Sequence, residues 1–463
     1  MPRITLLNLT DQELTCSWKS KSRTAPFQEK VTSPPSLPTM TDISKRCCRH
    51  LRFSSSSGVH GSKEGEVEAD AVGPVTEISL SLGSTWQVVK VPEECPWRMY
   101  STKVAKKHYQ VAIFPRRNLA AFLSEIPDSV SLSSVLLPGT HDTMAFYGWP
   151  ISQCQTLETP LNVQLESGIR VLDIRLSLIK GALIAYHGVY PQRSPFAAIL
   201  AILHAFLISE TSSRETVVMS IKQEDYANTS QQDFSRAVHD EIAASPGGLG
   251  MFYLEDRVPN IGEVRGRVVM FSRFNGWDAW EGGNLGMHPT TWPDSEREGF
   301  EWECRGTTVR THDWYSIPSF LSIPEKVALA TRILQPPERM AKPTLSIAFL
   351  SASSFPFASP PTIAQGFGWP KAGFGVEGVN SRVGKWLLDM LSQSGNAVNS
   401  DSNPTSRSES TANLNEKERP VSGEEPRIRG WVLMDFFDNP EHGVVPLFVE
   451  CNFRGRKAGD EGW

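Results

Sequence analysis

The stretch Leu136-Leu-Pro-Gly-Thr-His-Asp-Thr143 gives the first indication of fold and chemistry in this chain. The apolar run that ends at Leu137 predicts a buried strand, and Pro138–Gly139 predicts a turn that ends it. An imidazole and a carboxylate, His141 and Asp142, follow at once. Enzymes built on parallel strands carry their chemistry at strand ends, and a histidine there exchanges a proton near neutral pH. Alone, the pair is more typical of a turn histidine beside a capping aspartate, so its meaning depends on the rest of the chain.

From about residue 116 onward, predicted strands alternate with predicted helices. This alternation over roughly 300 residues is typical of an α/β barrel-like domain. The predicted helices are Thr159–Gly168, Pro195–Ser209 and Asp233–Ala243. The predicted strands are Val135–Leu137, Val171–Arg175, Leu183–His187, Val217–Lys222, Val268–Arg273, Leu345–Leu350 and Val432–Phe436.

Most of these strands carry a polar residue at or near the end. A charged side chain inside an apolar strand costs free energy unless it is paired, so one such residue could belong to a structural ion pair. A whole series at equivalent strand ends is better explained by one functional site, since these ends converge at the mouth of a barrel. Besides His141 and Asp142, the series comprises Asp173, Arg175, His187, Lys222, Arg273 and Asp435.

The residue types in this series indicate the cleavage of a phosphodiester. Two histidines, each with a nearby carboxylate, suit the general base and the general acid of one reaction. The guanidinium of Arg175 matches the charge and the shape of a phosphate. A hydroxyl of the substrate could be the nucleophile, because no nucleophilic Ser or Cys is evident. No metal cage is evident either, since the carboxylates occur singly and next to cations.

Composition excludes several other classes of protein. The 463 residues carry a net charge of −5, which argues against a nucleic-acid-binding protein. The longest apolar run, Phe196–Ile208, is too short to span a membrane and contains a histidine, so any membrane contact is expected to be peripheral. The N-terminus has no sustained apolar run typical of a secretory signal. Seven scattered cysteines without a CxxC motif predict reduced thiols. We therefore expect a cytoplasmic monomer.

The first 115 residues differ from the rest. Short alternating apolar runs separated by Gly, Ser and Pro predict a small β-rich domain, with a mobile loop at Ser54–Gly73 and a hinge at Pro115–Arg117. A second polar stretch, residues 392–428, predicts a disordered insert within the catalytic domain, which we place at residues 116–463. The predicted strands of the first domain are Ile4–Leu9, Ile78–Leu82, Trp86–Val91 and Tyr109–Phe114.

Taken together and in this order, the motifs resemble the X-box of the bacterial-type phosphatidylinositol-specific phospholipases C. The likeness covers roughly residues 120–455 and implies a distorted, incompletely closed (β/α) TIM-like barrel. A small β domain before the barrel is similar to what occurs in fungal relatives. The motifs are Leu137–Thr143, Gly168–Arg175, Tyr186–Gly188, Val218–Glu224, Arg265–Phe274 and Gly430–Phe436.

The resemblance implies a role for each candidate residue. His141 would be the general base toward the inositol 2-hydroxyl, supported by Asp435. His187 would be the general acid on the diacylglycerol oxygen, assisted by Asp142. Arg175 would stabilise the phosphate, with Asp173 positioning it. The remaining residues match positions that bind the inositol ring: Lys222, Arg273, Asp313 and Tyr315.

The same resemblance implies an enzyme without a metal cofactor, acting on an inositol phospholipid at a membrane surface. Calcium-dependent relatives have an Asn where Asp142 stands and acidic metal ligands in the next strand, where Arg175 stands here. Two alternatives stay open, namely a metal-dependent glycerophosphodiester phosphodiesterase and a non-catalytic inositol-lipid-binding module. The tryptophans of an insert at residues 277–310 could contact the membrane or could pack the insert against the barrel.

Overall fold

The structure is a computed structural model. It describes residues 3–18, 28–32, 39–44, 50–55, 75–77, 84–106, 108–276, 280, 285–335, 343–369, 372, 374–393, 427–454, 459 and 463. The chain divides into two compact units. The first comprises Met1–Arg116 and Lys385–Pro426, and the second comprises Arg117–Gly384 and Arg427–Trp463.

The first unit contains two β-sheets. One has the strand order β4-β1-β9-β8-β7 and the other the order β3-β2-β5-β6. Strands β1 and β9 pair in parallel, and the other pairs in both sheets are antiparallel. An apolar core that includes Leu6, Leu14, Trp97 and Met99 joins residues of both sheets. The strands are β1 (Arg3–Asn8), β2 (Leu14–Trp18), β3 (Gln28–Thr32), β4 (Thr39–Ser44), β5 (His50–Ser55), β6 (Val75–Glu77), β7 (Trp86–Val89), β8 (Trp97–Ala105) and β9 (His108–Pro115).

The second unit alternates strands with helices. Its strands are β10 (Leu136–Thr140), β11 (Val171–Ile179), β12 (Ala182–His187), β13 (Tyr190–Pro195), β14 (Val217–Gln223), β15 (Phe252–Tyr253), β16 (Val268–Arg273), β17 (Phe300–Cys304), β18 (Thr307–His312), β19 (Thr344–Phe349), β20 (Gly366–Phe367), β21 (Val376–Glu377) and β22 (Gly430–Met434). Its helices are α1 (Leu161–Glu166), α2 (Phe196–Ile208), α3 (Gln231–Ala244), α4 (Ile261–Val264), α5 (Ile323–Arg332), α6 (Pro360–Gln365), α7 (Val379–Gln393), which extends past the boundary of the unit, and α8 (Val444–Glu450).

A curled sheet with the order β15-β16-β14-β11-β10-β22-β19-β18-β17 forms the centre of this unit. All neighbours along it are parallel except β17 and β18, and the hairpin β12–β13 extends antiparallel from β11. Strand β22 pairs with β10, which joins the last large strand to the first. Among the described residues, no strand pairing links β16 to β17. The sheet is therefore a distorted TIM-like barrel that is open on one side, as the sequence predicted.

The expected turn at Pro138–Gly139 is wrong, because both residues lie inside β10. The oxygen of Pro138 accepts from the backbone nitrogen of Arg170 at 2.7 Å, while residue pairing with β11 begins only at Gly139 and Val171. A Cβ on Gly139 would lie 2.7 Å from the Val171 oxygen and 3.0 Å from the Val432 oxygen. Glycine is required here because the two neighbouring strands approach the backbone closely, not because the chain turns.

A buried ion pair lies where β11 and β14 begin. Arg170 and Glu215 are both fully buried, and Arg170 Nε donates to Glu215 Oε2 at 2.8 Å. The remaining guanidinium nitrogens donate to backbone oxygens, among them those of Leu165 at 2.7 Å and Ala120 at 2.8 Å. The pair therefore ties the segment before β10 to the end of the barrel opposite the mouth.

The stretch 277–310 is not a simple rim insert, because it contains β17 and part of β18. Trp280 and Trp302 are 2% and 4% exposed, so these two pack against the barrel, which was one of the two predicted alternatives. Trp277 and the whole predicted strand Ile78–Leu82 lie outside the described residues. Most of Ser54–Gly73 and most of the predicted insert 392–428 lie outside them too. Within the described part of the chain, no helix is long and apolar enough to cross a membrane.

Candidate active site

The mouth of the barrel brings the candidate residues to one cavity of about 620 Å³. Because parallel strands end at the same edge, residues far apart in sequence meet there. Asp142 and Asp173 are buried, at 1% and 0% exposure. The other candidates line the cavity: His141, Arg175, His187, Lys222, Arg273, Asp313, Tyr315 and Asp435.

His141 lies between a carboxylate and a guanidinium. Its Nδ1 is 2.7 Å from Asp435 Oδ1, and its Nε2 is 2.7 Å from Arg175 Nη2. Since an ionised carboxylate only accepts and a guanidinium only donates, Nδ1 carries the proton and Nε2 is unprotonated. This tautomer leaves a basic nitrogen toward the cavity. The side chain of Gln155 donates to the backbone oxygens of His141 and Met434 at 3.0 Å, which fixes the ends of β10 and β22.

His187 is the second imidazole of the cavity, with its ring centroid 6.2 Å from that of His141. Its Nδ1 donates to the Ser152 oxygen at 2.8 Å and lies 3.4 Å from Asp142 Oδ2. Burial, and after it the positive charge of Arg175, lowers the pKa of His187 to about 4. Burial also raises the pKa of Asp142 well above its ordinary value, although Arg175 opposes this. The ring is thus neutral at pH 7 in the free protein, with Nε2 as an acceptor.

Arg175 is the central cation of the site. Its Nε donates to Asp173 Oδ2 at 2.9 Å, and a second carboxylate, Glu224, lies 3.7 Å from its Nη1. Burial alone would raise the pKa of Asp173, but Arg175 and Arg273 outweigh it and hold that pKa well below the usual range. Asp173 therefore stays ionised and keeps both guanidinium groups charged and oriented toward the cavity.

Two further clusters line the other side of the cavity. Lys222 Nζ donates to Glu224 Oε1 at 2.7 Å. Arg273 lies over the ring of Trp292, with its Cζ 3.8 Å from the ring centroid, and Trp292 Nε1 donates to Asp313 Oδ2 at 3.0 Å. Trp292 thus holds a cation and a carboxylate at a fixed separation. Together these clusters present alternating donors and acceptors, which suits a ligand with many hydroxyl groups.

Asp313 and Tyr315 follow β18 directly, so Asp313 joins the series of residues at strand ends. The predicted strands did not include β18, so no strand end was expected before Asp313. Tyr315 is 40% exposed at the rim, and its hydroxyl donates to the side chain of Asp294. That hydrogen bond, with partial burial, raises the pKa of Tyr315 to about 12, so the phenol stays protonated.

Sequence reasoning missed three residues of this site. Glu224 follows Lys222 by two positions just past β14, and this same-face alternation was a signal for it. Trp292 belonged to the supposed insert and gave no local signal. Cys154 lies in the loop between β10 and α1, and its Sγ is 3.8 Å from His187 Nδ1. Its sequence neighbours show nothing of that proximity.

The backbone bends sharply at two residues of the mouth. Asp142 has φ = 40° and Phe436 has φ = 47°, a region that aspartate tolerates and phenylalanine rarely adopts. The nitrogen of Phe436 donates to the Cys154 oxygen at 2.7 Å, and Asn380 Nδ2 donates to the oxygens of Asp435 and Phe436 at 2.9 and 3.0 Å. These bonds hold the strained turn in place and so fix the Asp435 carboxylate against His141.

Comparison with known proteins points to one group of enzymes, although no protein-family model matches the chain. The chain is 31% identical over 162 residues to 1-phosphatidylinositol phosphodiesterase of Listeria monocytogenes, which covers 33% of this chain and 48% of the relative. It is 25% identical over 181 residues to the 1-phosphatidylinositol phosphodiesterase of Staphylococcus aureus strain Newman, which covers 38% and 57%. The chain thus spans about half the length of the curated relatives it matches.

A solved structure agrees at the level of the fold. It is that of the phosphatidylinositol-specific phospholipase C of Staphylococcus aureus, from work on the modulation of its membrane binding. The TM-score is 0.52 at 18% identity, covering 72% of this chain and 98% of the other. This chain is similar to the bacterial phosphatidylinositol-specific phospholipases C. The similarity to these phospholipases confirms the predicted TIM-like barrel and the family resemblance, while the roles of individual residues remain predictions.

Proposed function

We propose that this chain cleaves phosphatidylinositol, or a glycosylated inositol lipid, to diacylglycerol and a cyclic inositol phosphate. One observation carries the proposal. Two imidazoles face one cavity with ring centroids 6.2 Å apart, each beside its own carboxylate, and Arg175 contacts one of them. Such an arrangement provides a base, an acid and a fixed positive charge for one phosphodiester. The similarity to enzymes named 1-phosphatidylinositol phosphodiesterase supports the choice of substrate.

In this proposal His141 is the general base. Its Nε2 takes the proton of the inositol 2-hydroxyl as that oxygen attacks phosphorus, and the Nδ1 proton remains on the bond to Asp435 Oδ1, which is 2.7 Å long. Arg175 moves its hydrogen bond from Nε2 to a phosphate oxygen and balances the charge that develops there. Asp173 keeps the guanidinium in position throughout. A proton transfer of this kind contributes about 10² to 10⁴ in rate.

His187 is the general acid. It is neutral in the free site, because burial and Arg175 lower its pKa to about 4. The substrate phosphate brings a negative charge beside it, which offsets Arg175 and raises that pKa. Asp142, 3.4 Å from Nδ1, further favours the imidazolium when ionised. Nε2 then donates a proton to the diacylglycerol oxygen as the bond to phosphorus breaks.

We propose that this reaction needs no metal cofactor. The support is the charge that the chain itself supplies, since Arg175 and Arg273 are held toward the cavity by the ionised Asp173. Lys222, Arg273, Asp313 and Tyr315 are proposed to bind the hydroxyl groups of the headgroup. Their alternating donors and acceptors support a polyhydroxylated ring as the ligand.

We further propose that residues 116–463 form the catalytic domain, with an insert at 392–428, and that residues 1–115 form a separate small β domain. We place the chain in the cytoplasm as a monomer that associates transiently with membranes. The buried free thiols Cys95, Cys154 and Cys304 support a reducing compartment.

The apolar rim of the mouth supports a peripheral membrane contact. Trp149, Ile151 and Val189 are 73%, 47% and 84% exposed, and Ile151 also lines the cavity. Trp149→Ala should lower the binding of phosphatidylinositol-containing vesicles in a sedimentation assay. Ile208→Ala is the matched control, because Ile208 is 64% exposed but ends α2 at the opposite end of the strands. Equal losses in both variants would contradict this role of the rim.

The reaction itself is tested with phosphatidylinositol vesicles in excess chelator, followed by phosphorus NMR. A cyclic inositol phosphate should accumulate with the wild-type chain and with His442→Ala, which alters an exposed histidine, and not with His141→Ala. A folded chain that turned over no inositol lipid would refute the proposal. Activity that appeared only after a divalent cation was added would favour a glycerophosphodiester phosphodiesterase instead.

A further inference from the structure

Cys154 is a buried thiol that the proposed reaction does not use, yet it lies against both histidines. It is 0% exposed, and its Sγ is 3.8 Å from His187 Nδ1. Its sulfur, a nitrogen of His141 and a carboxylate oxygen of Asp435 all lie within 4.8 Å of one another. Burial, with the neighbouring Asp435 and Asp142 carboxylates, raises the pKa of the thiol well above its ordinary value. The site therefore holds a protonated sulfur beside the imidazole and carboxylate of the base.

These three groups form a donor set with a clear chemical preference. Thiolate sulfur, imidazole nitrogen and carboxylate oxygen are ligands of Zn²⁺ and of softer ions such as Cd²⁺, whereas Ca²⁺ and Mg²⁺ prefer oxygen alone. Bonds of about 2.0 to 2.3 Å around a tetrahedral ion leave ligand atoms up to about 4 Å apart. Since the three atoms already lie within 4.8 Å of one another, side-chain shifts of about 1 Å would suffice.

We propose that Cys154, His141 and Asp435 form an inhibitory site for a thiophilic divalent cation such as Zn²⁺ or Cd²⁺. On binding, the thiol of Cys154 releases its proton to solvent and the sulfur bonds to the metal. His141 binds through Nδ1, and the proton on that nitrogen moves to Nε2. Asp435 turns from the imidazole to the metal, and solvent takes the fourth position.

The consequence for His141 is that it can no longer act as a base. With its proton on Nε2, the ring presents a donor to the cavity, and Arg175 Nη2, now 2.7 Å from Nε2, has to move away. The site thus differs from a cofactor site, because the bound metal disables the general base instead of assisting the reaction. The displaced proton also makes the affinity fall as the pH is lowered.

Metal binding is tested first, by a measurement that does not depend on activity. The full-length chain carries Cys47→Ser and Cys48→Ser, because adjacent cysteines bind Cd²⁺ themselves. Titration with Cd²⁺ should produce an ultraviolet thiolate-to-metal charge-transfer band that saturates at one equivalent. Adding Cys154→Ser should abolish the band. Adding Cys304→Ser, a matched buried thiol 3.6 Å from Asp256 Oδ1, should leave it unchanged.

A band that survives Cys154→Ser, or no binding at all, would overturn the proposal. A second measurement covers the case in which Cys154→Ser does not fold. X-ray absorption at the zinc edge, on the Zn²⁺-loaded chain with Cys47→Ser and Cys48→Ser, should show one sulfur ligand and an imidazole. A spectrum with oxygen ligands only would likewise overturn the proposal.

The second experiment measures inhibition of activity. Unlike the metal-binding measurements, it rests on the proposed function. Zn²⁺ should inhibit inositol-lipid cleavage, and Ca²⁺ at the same concentration should not. Loss of a residue that merely supports a ligand costs about 10- to 100-fold in metal affinity, so losing the sulfur itself should weaken inhibition by at least about 100-fold. Each variant is compared with its own metal-free rate. Equal inhibition of wild type and Cys154→Ser would refute the site, whereas a chain that binds Cd²⁺ through Cys154 but cleaves no lipid would refute only the proposed function.

Discussion

The division of work between the two histidines leads to a prediction about leaving groups. His141→Ala removes the group proposed to activate the inositol hydroxyl, and His187→Ala removes the group proposed to protonate the departing oxygen. Each should lower kcat on phosphatidylinositol by about 10² to 10⁴, the usual contribution of one proton transfer. An inositol phosphate ester with an acidic phenol as leaving group needs no protonation of that oxygen. On this substrate His187→Ala should recover most of its rate, and His141→Ala should not.

The contacts of His187 also set the size of the effect of Asp142→Asn. The Ser152 oxygen, 2.8 Å from His187 Nδ1, keeps the ring and its tautomer in place without Asp142. What is lost is the charge of Asp142, whose Oδ2 lies 3.4 Å from Nδ1 without a hydrogen bond to it, and losing this support of the imidazolium should cost about 10- to 100-fold in rate. Asp142→Asn should therefore be impaired less than His187→Ala and should be rescued by the same phenol ester.

The assay compares kcat/KM on lipid vesicles with kcat/KM on the soluble phenol ester for wild type and the three variants. Circular dichroism and thermal unfolding control for the integrity of each variant. Equal rescue of His141→Ala and His187→Ala would refute the assignment of base and acid. Rescue of His187→Ala without rescue of Asp142→Asn would show that Asp142 acts elsewhere.

Three further outcomes follow from buried charges. Binding of an inositol phosphate between pH 4 and pH 6.5 should take up a proton, because the anion raises the pKa of His187 from about 4. Calorimetry in buffers of different ionisation enthalpy should detect this uptake in the wild type and not in His187→Ala. Burial lowers the pKa of Lys326 to about 7, so between pH 7 and 10.5 the unfolded state binds a proton that the native state lacks. Over this range the stability of the wild type relative to Lys326→Met should rise by up to about 1.4 kcal/mol per pH unit. Urea unfolding at several pH values would measure it. Glu215→Gln leaves the fully buried Arg170 without its countercharge and should destabilise the fold by about 3 to 5 kcal/mol in the same assay, whereas Arg257→Gln, at an exposed pair with Glu263, should cost less than about 1 kcal/mol.

The polar residues at the strand ends could be predicted from the sequence because they interrupt runs that are otherwise apolar. A charged residue such as Asp173 or Arg175 inside an apolar run indicates either a structural ion pair or a functional site. Several such residues at successive strand ends favour the functional site. The register of β11 and β14, which pairs Arg175 with Lys222, brings these residues side by side. Periodicity was therefore enough to predict that these residues at strand ends share one site.

Other features depend on contacts that no local pattern encodes. Pro138–Gly139 carries a turn signal but lies within β10, since the neighbouring strands require a residue without a side chain at Gly139. Cys154 meets His187 only through the fold of the loop after β10. Trp292 bridges Arg273 and Asp313 across three separate elements. Such long-range contacts outweigh local propensity, and a single sequence gives no measure of them.

Among the described residues, β17 is the last strand of its sheet, at the open side of the barrel. A strand in that position offers unpaired backbone groups to any second chain. In β17, Glu301 and Glu303 are exposed and alternate with the buried Trp302 and Cys304. Pairing this edge with its own copy would bring like charges together, so we expect the two glutamates to disfavour self-association. The double substitution Glu301→Thr and Glu303→Thr would remove both charges and leave β17 as an exposed edge strand that promotes aggregation.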